Sequence, residues 1–186
     1  LFAAIVSFKV AFFLLAYQGI AWLYSAWPLR LKRFAFVSTF VSSIASLMIV
    51  FSGFILASPS ESIRQLPFSV IVLLAMAYTF SLPVKDFKDI DGDRNDGVRT
   101  IPVLFGENWG KIVVAGGIFL SFLLSVAVFN EFRLFWWAML FGGFSFWLVG
   151  SMQKEKGAVT YRNIFWWILG AIFGYSLVFG YFIFNG

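Results

Sequence analysis

Six apolar runs, each long enough to cross a bilayer and none holding an aspartate or glutamate, divide this chain of 186 residues. They cover residues 1–24, 34–57, 66–82, 112–129, 134–151 and 164–184. At about 1.5 Å rise per residue, a helix of about 20 residues crosses a hydrocarbon core about 30 Å thick, and the shorter runs cross with little tilt. Period-two alternation is absent, so helices rather than a closed barrel must satisfy the backbone polar groups. The expected fold class is therefore all-α, a polytopic transmembrane helical bundle forming a single domain over 1–186. The fifth run is diluted by Gly142, Gly143 and Gly150, which lower its helix propensity.

Charge patterning orients the bundle. Three alternate connections hold Arg30, Lys32 and Arg33; then Lys85, Lys88, Arg94, Arg99 and Lys111; then Lys154, Lys156 and Arg162. Together they hold eleven of the 14 basic residues, while the two intervening connections hold only Arg64 and Arg133. The positive-inside rule places the three basic connections in the cytoplasm and both ends of the chain outside. The net charge of +5 is then a matter of topology, not of a nucleic-acid surface. All eight tryptophans fall near predicted helix ends, as an aromatic belt at the two interfaces requires. Lys9, within the first run, either snorkels or lies near a helix end. The chain opens at Leu1 inside an apolar run, with no basic segment or cleavage site before it, and is expected to continue upstream.

Composition closes off several chemistries. There is no cysteine, so disulfides and thiolate metal sites are excluded, and no histidine, so imidazole bases and imidazole ligands are too. Any metal site must be built from oxygen, which selects a hard cation such as Mg²⁺ or Ca²⁺. Acids inside the helices would point to a transporter or channel, and the six runs have none.

The acids are instead concentrated in the connection 83–111, which at 29 residues is far longer than the roughly 2–8 of ordinary helix–helix links and holds six of the nine acidic residues. If the preceding helix runs on, Asp86, Asp89 and Asp93 fall at i, i+3 and i+7 on one face, with Lys85 and Lys88 at its margins. Carboxylates so stacked repel, and a cation would relieve that cost; Mg²⁺, which takes one or two carboxylates and completes its shell with water and phosphate oxygens, suits them. Gly92 and Gly97 then let the chain turn, and Pro102 forbids helix continuation. Asp91, Asp93 and Asn95 open like a Ca²⁺ loop, but Asp96 stands where that loop needs glycine and Pro102 where it needs a bidentate glutamate. The plainer alternative is a solvated cytoplasmic loop.

Residues 86–106, DFKDIDGDRNDGVRTIPVLFG, resemble the second Asp-rich motif of the UbiA prenyltransferase superfamily. Asp89 and Asp93 match its D-x-x-x-D core, Asp86 matches an upstream acid seen in many members, and the Gly-(basic)-Thr-(aliphatic)-Pro stretch and downstream glycine follow. Residues 24–33, YSAWPLRLKR, are similar to a stretch of the family's preceding cytoplasmic loop. The order of motifs and helices resembles the last six of the family's nine helices. The family's first motif, N-D-x-x-D-x-x-x-D, has no match here, since no acid precedes Glu61.

The resemblance implies an intramembrane transferase that moves a polyprenyl group from its diphosphate to a hydrophobic acceptor, aromatic or lipid-like, within the bilayer. It implies Mg²⁺ as cofactor, held by Asp89 and Asp93 with Asp86 contributing directly or through water. Lys32 and Arg30 become candidates for the diphosphate, with Tyr24 as a hydrogen-bond partner and Arg99 as a further contact; no single catalytic side chain is singled out. For Arg30, Lys32 and Arg33 the competing role is positive-inside anchoring. The many phenylalanines could line a prenyl tunnel, but for any one of them lipid contact or helix packing is the stronger reading. A non-catalytic membrane subunit of the same fold is the alternative function.

Overall fold

The computed structural model describes residues 7–57, 62–153 and 160–184. Lys154, Lys156 and the first six residues of the first apolar run lie outside the described residues. Helix α1 spans Phe8–Ser25, α2 Ala35–Ala57, α3 Phe68–Ser81, α4 Ile90–Asn95, α5 Ile101–Phe129, α6 Phe135–Ser151 and α7 Ile164–Phe184. A long 3₁₀ helix, Leu82–Asp89, follows α3 directly and leads into α4 with no intervening loop residue. Six spans are long and apolar enough to cross a membrane, and no β-strand occurs among the described residues. The all-α bundle read from the apolar runs is the fold observed.

Each membrane-length helix packs against the next in sequence, and α5 also contacts α2. The buried core is centred on α5 and α6 (Val114, Ile118, Phe122, Val126, Ala138, Leu148) and is joined by Ile164 and Ile168 of α7. By contrast, α1 buries only Val10. All eight tryptophans are exposed, as are Phe12, Phe36, Phe144 and Phe173, which suits side chains facing lipid rather than water. Lys9 is exposed in the first turn of α1, where its long side chain can snorkel toward the membrane surface.

Of the fifth run's glycines, Gly142 has a packing reason, as does Gly117 of α5, whereas a Cβ at Gly143 or Gly150 would meet no neighbouring atom. A Cβ at Gly142 would stand 2.8 Å from the Phe119 ring, and one at Gly117 2.4 Å from the Phe80 ring. Inside a bilayer, helices gain little from hydrophobicity and associate through close van der Waals contact, which small residues allow. Polar links supplement it: the Ser43 hydroxyl, fully buried on α2, donates to the Ala75 carbonyl of α3 at 2.7 Å, and the Ser125 and Tyr175 hydroxyls join α5 to α7.

The connection 83–111 is not a loop. Only residues 96–100 lie outside helices, and the fourth span begins at Ile101 rather than at 112. Pro102 sits in the first turn of α5, where its missing N–H has no partner to lose, so it starts a helix rather than only ending one. Within α5, Gly106 takes φ 74°, ψ 166°, kinking the axis one turn in. That conformation is essentially open to glycine alone and costs other residues about 1–3 kcal/mol. Gly106→Ala, with free space around its new methyl, is expected to lower the stability of the detergent-solubilised protein by that amount. Gly116→Ala, also unobstructed but in regular helix, should be neutral or stabilising. Equal thermal unfolding of both variants and wild type would show that the kink imposes no backbone demand.

Candidate functional site

The acid-bearing segment owes its shape to Pro83 and to a repeat of three. Pro83 removes a donor from the i→i−4 ladder, and tighter i→i+3 turns carry the chain from Leu82 to Asp89. In a 3₁₀ helix residues three apart eclipse one another. Residues 84–89 read Val-Lys-Asp-Phe-Lys-Asp, so Val84 and Phe87 form one buried edge, 3% and 1% exposed, against the core. Lys85 and Lys88 are exposed, Asp86 is half-buried and Asp89 exposed. At Asp89 the backbone leaves the helical region (φ −137°, ψ 42°) before α4 begins. The expected single face carrying Asp86, Asp89 and Asp93 is therefore bent: the chain does run on helically, but in two helices of different pitch.

Gly92 and Gly97 shape the turn that follows. The Asp89 carboxylate folds back over Gly92, where an added Cβ would lie 2.3 Å from its Oδ1. Gly97, at φ 68°, closes α4 in a Schellman turn: the Val98 N–H bonds the Asp93 carbonyl at 2.8 Å and the Gly97 N–H bonds the Arg94 carbonyl at 3.2 Å. The chain is thereby aimed at the connection between α1 and α2.

That meeting is the central feature of the site. The Arg99 N–H donates to the Arg33 carbonyl at 3.1 Å, making a short parallel bridge between Phe34 and Arg99. Arg30, itself in a left-handed conformation (φ 40°, ψ 55°), places its guanidinium 3.7 Å from the Asp96 carboxylate. Such strain in a non-glycine residue costs about 1–2 kcal/mol and persists only where surrounding contacts impose it. Lys32 is the cation facing Asp93, whose neighbouring like charges are Asp89 and Asp96. The Lys85 ammonium sits 5.7 Å above the Tyr24 ring, and Asp86 shares a small recess with Tyr24, Ser38, Thr39, Ser42 and Lys85. The two sequence motifs thus form one polar surface.

Of the expected site residues, Tyr24, Arg30, Lys32, Asp86 and Asp93 are gathered here. Arg99 enters through its backbone, while its side chain is exposed. Asp89 borders a separate cleft of about 430 Å³, together with Phe87, Lys88, Asp91, Arg94, Glu107 and Tyr161. Arg94 pairs with Asp91 at 3.5 Å, an exposed contact of small energetic weight.

Sequence reasoning passed over three groups. Thr100, 5% exposed beside Asp93, buries a hydroxyl that lacks hydrogen-bonding geometry to any partner. Lys85 turns toward the Tyr24 side rather than merely bordering the acids. A polar cluster also joins Tyr161 to α5: its hydroxyl donates to Glu107 Oε1 in a very short contact, and Lys111 donates to the same oxygen at 2.7 Å and to the Met152 carbonyl at 2.9 Å. Burial, then the Glu107 hydrogen bond, push the Tyr161 hydroxyl's pKa upward, so it keeps the proton it donates. The repeat of three around Pro83 was a readable sign for Lys85; the Tyr161 cluster had none.

The donor set fits a hard divalent ion. With neither cysteine nor histidine in the chain, the donors beside these motifs are oxygens, and among the described residues no three carboxylates converge to enclose a metal ion. Mg²⁺ does not need such a cage, because it binds through one or two carboxylates and keeps water or phosphate oxygens for the rest. Two further features suit it: the Thr100 hydroxyl, an orphaned buried oxygen, stands beside Asp93, and the missing side chain at Gly92 leaves room for the Asp89 carboxylate to fold back.

Known proteins give the same direction. The chain is 27% identical over 106 residues to the digeranylgeranylglyceryl phosphate synthase of Methanothermobacter thermautotrophicus, covering 57% of this chain and 36% of that protein. It is 30% identical over 126 residues to the chloroplastic chlorophyll synthase of Avena sativa, covering 66% of this chain and 32% of the relative. With the Natronomonas pharaonis digeranylgeranylglyceryl phosphate synthase identity rises to 42%, over 60 residues, 31% of this chain and 22% of the relative. The matched stretches thus span about a third or less of these relatives' own length. No solved structure matches the chain. The model of the UbiA prenyltransferase family matches residues 1–169. With both motifs folded onto one end of a membrane bundle, the chain belongs to the UbiA prenyltransferase family.

Proposed function

We propose that this chain forms the diphosphate-gripping part of an Mg²⁺-dependent intramembrane prenyltransferase, which transfers a polyprenyl group from its diphosphate to a hydrophobic acceptor. The observation that carries the reading is the joining of the two motifs: Arg99 bonded to Arg33, Arg30 beside Asp96, Lys32 facing Asp93 and Lys85 over Tyr24. Alternating carboxylates and cations at the mouth of an apolar bundle suit a ligand with a metal-binding anionic head and a hydrocarbon tail.

The reaction separates charge. The allylic C–O bond breaks, its electron pair leaves with the diphosphate, and the prenyl carbon becomes cation-like until an acceptor nucleophile bonds to it and the acceptor loses a proton. Asp89 and Asp93, with Asp86 directly or through water, would hold Mg²⁺, which supplies positive charge to the diphosphate oxygens. Lys32 and Arg30 bring fixed positive charge to the same head group, and Tyr24 offers a hydroxyl. Such charges, placed before reaction in a water-poor site, stabilise the departing anion far more than they would in bulk water. The faces of Tyr17 and Tyr24, which border a recess of about 200 Å³ with Lys85, attract a developing cation through their ring quadrupoles. The basic ends gather at the cytoplasmic side by the positive-inside rule. The relatives are named for a glyceryl phosphate lipid and for chlorophyll, so the reading is confined to the donor.

The test is binding of a non-hydrolysable prenyl diphosphate analogue to the purified full-length protein, with and without Mg²⁺, in wild type and Asp89→Asn. Binding that requires both the ion and Asp89 is the expected result. A folded wild-type protein that ignores the analogue would move the reading to a non-catalytic member of the family.

A further inference from the structure

We infer that Tyr161 and Glu107 are positioning residues that lock Phe87 and thereby fix the Asp86 and Asp89 carboxylates for the ion; this rests on the Mg²⁺–diphosphate reading above. Neither residue belongs to the two motifs, and Glu107 and Tyr161 stand 54 positions apart.

Phe87 is the pivot. It lies directly after Asp86 and two residues before Asp89, so any sliding of its ring moves both carboxylates. It is 1% exposed, and its ring fills the space over Gly110 of α5, where an added Cβ would come within 3.4 Å of it. Its outer side meets the Tyr161 ring at 6.3 Å between centroids, tilted 45°. Tyr161 is itself held at both ends. Its N–H donates to the Gln153 carbonyl at 3.1 Å and its hydroxyl to Glu107. Glu107 is in turn fixed by Lys111, whose ammonium lies 5.4 Å from the Tyr161 ring centre and also reaches the end of α6 at Met152. The 3₁₀ helix, α5, the end of α6 and the residues before α7 are thus tied around one aromatic ring. The same Tyr161 and Glu107 border the cleft into which Asp89 opens.

The link needs the hydroxyl, not only the ring. Tyr161→Phe keeps the packing on Phe87 and removes the tie to Glu107, while Glu107→Gln weakens the same tie from its other end. Residues that orient metal ligands typically change metal affinity by about 10–100-fold when altered. With full-length protein and Mn²⁺ as the probe ion, read by electron paramagnetic resonance beside a prenyl thiolodiphosphate analogue, Tyr161→Phe is expected to weaken Mn²⁺ binding about tenfold. The Mg²⁺ concentration giving half-maximal turnover should rise in parallel, with kcat at saturating Mg²⁺ held within about twofold. The Tyr161→Phe, Glu107→Gln double variant should be little worse than either single one, because both cut one link.

Wild-type Mn²⁺ affinity in both single variants would overturn the inference while leaving the diphosphate reading intact, provided Asp89→Asn abolishes Mn²⁺ binding in the same assay. A fall in kcat that saturating metal does not restore would equally overturn it, by marking a merely structural role. A wild-type protein that binds no Mn²⁺ would overturn both.

Discussion

Asp93→Asn is expected to leave a folded membrane protein whose kcat/KM for prenyl transfer is lower by about a thousandfold, roughly 4 kcal/mol of transition-state stabilisation. The side chain keeps its shape but loses the negative charge that, on the proposed reading, would hold a divalent ion. Folding should not suffer. Asp93 lies near Asp89 and Asp96 as well as Lys32, and like charges at such separations cost a few tenths of a kcal/mol per pair. Removing one therefore relieves repulsion while leaving the Schellman turn, which uses the Asp93 backbone carbonyl, untouched. Asp89→Asn should also be severe, by about a hundredfold or more, but less so than Asp93→Asn. Asp89 is exposed and opens onto the outer cleft, whereas Asp93 is half-buried among Thr100 and Lys32. The assay is turnover of the full-length protein at saturating Mg²⁺, with membrane extraction and thermal unfolding as controls for folding. Undiminished turnover in both variants would sink the assignment of these acids to the ion.

The second large effect is on stability. Phe87→Ala should destabilise the protein by about 3–5 kcal/mol, the usual cost of emptying a fully buried phenylalanine site. Three neighbours hold the cavity open. Tyr161 is pinned by Glu107 and Gln153, α5 presents its backbone at Gly110, and Val84 is one 3₁₀ turn away in the same buried edge. None of these can collapse into the void without breaking a hydrogen bond or bending a helix. Phe87→Leu retains most of the volume and should lose less than half as much. Thermal unfolding in detergent is the measurement, and equal midpoints for wild type and Phe87→Ala would show that the ring does not anchor the acidic segment. The cost should appear in Asp93→Asn by contrast not at all, so the two variants separate chemistry from packing.

The bundle was legible in the sequence because the bilayer imposes simple terms. A span has a minimum length, and every backbone polar group inside it must find a partner within the chain, so apolar runs without acids read directly as helices. The two motifs were legible too, since the glycines, threonine and proline around the acids form an ordered pattern. What the pattern did not carry was conformation. Pro102 was expected to forbid helix continuation and instead begins α5, because a first-turn proline loses no hydrogen bond. The carboxylates were expected on one helical face and are divided by the change from 3₁₀ to α pitch at Asp89, a change set by Pro83 and by the burial of Val84 and Phe87.

The sequence by itself determined the fold class, the number of membrane-length helices described and the residue types available to a site: carboxylates and cations, without thiol or imidazole. Tertiary structure alone decided which of them meet. The bond from Arg99 to Arg33, the approach of Arg30 to Asp96 and the tie from Tyr161 to Glu107 join residues far apart in the chain. Periodicity reports only neighbours along one helix. Contacts between helices depend on how closely their axes approach, and here that is set by single positions such as Gly117 and Gly142, where one added carbon would hold two helices apart.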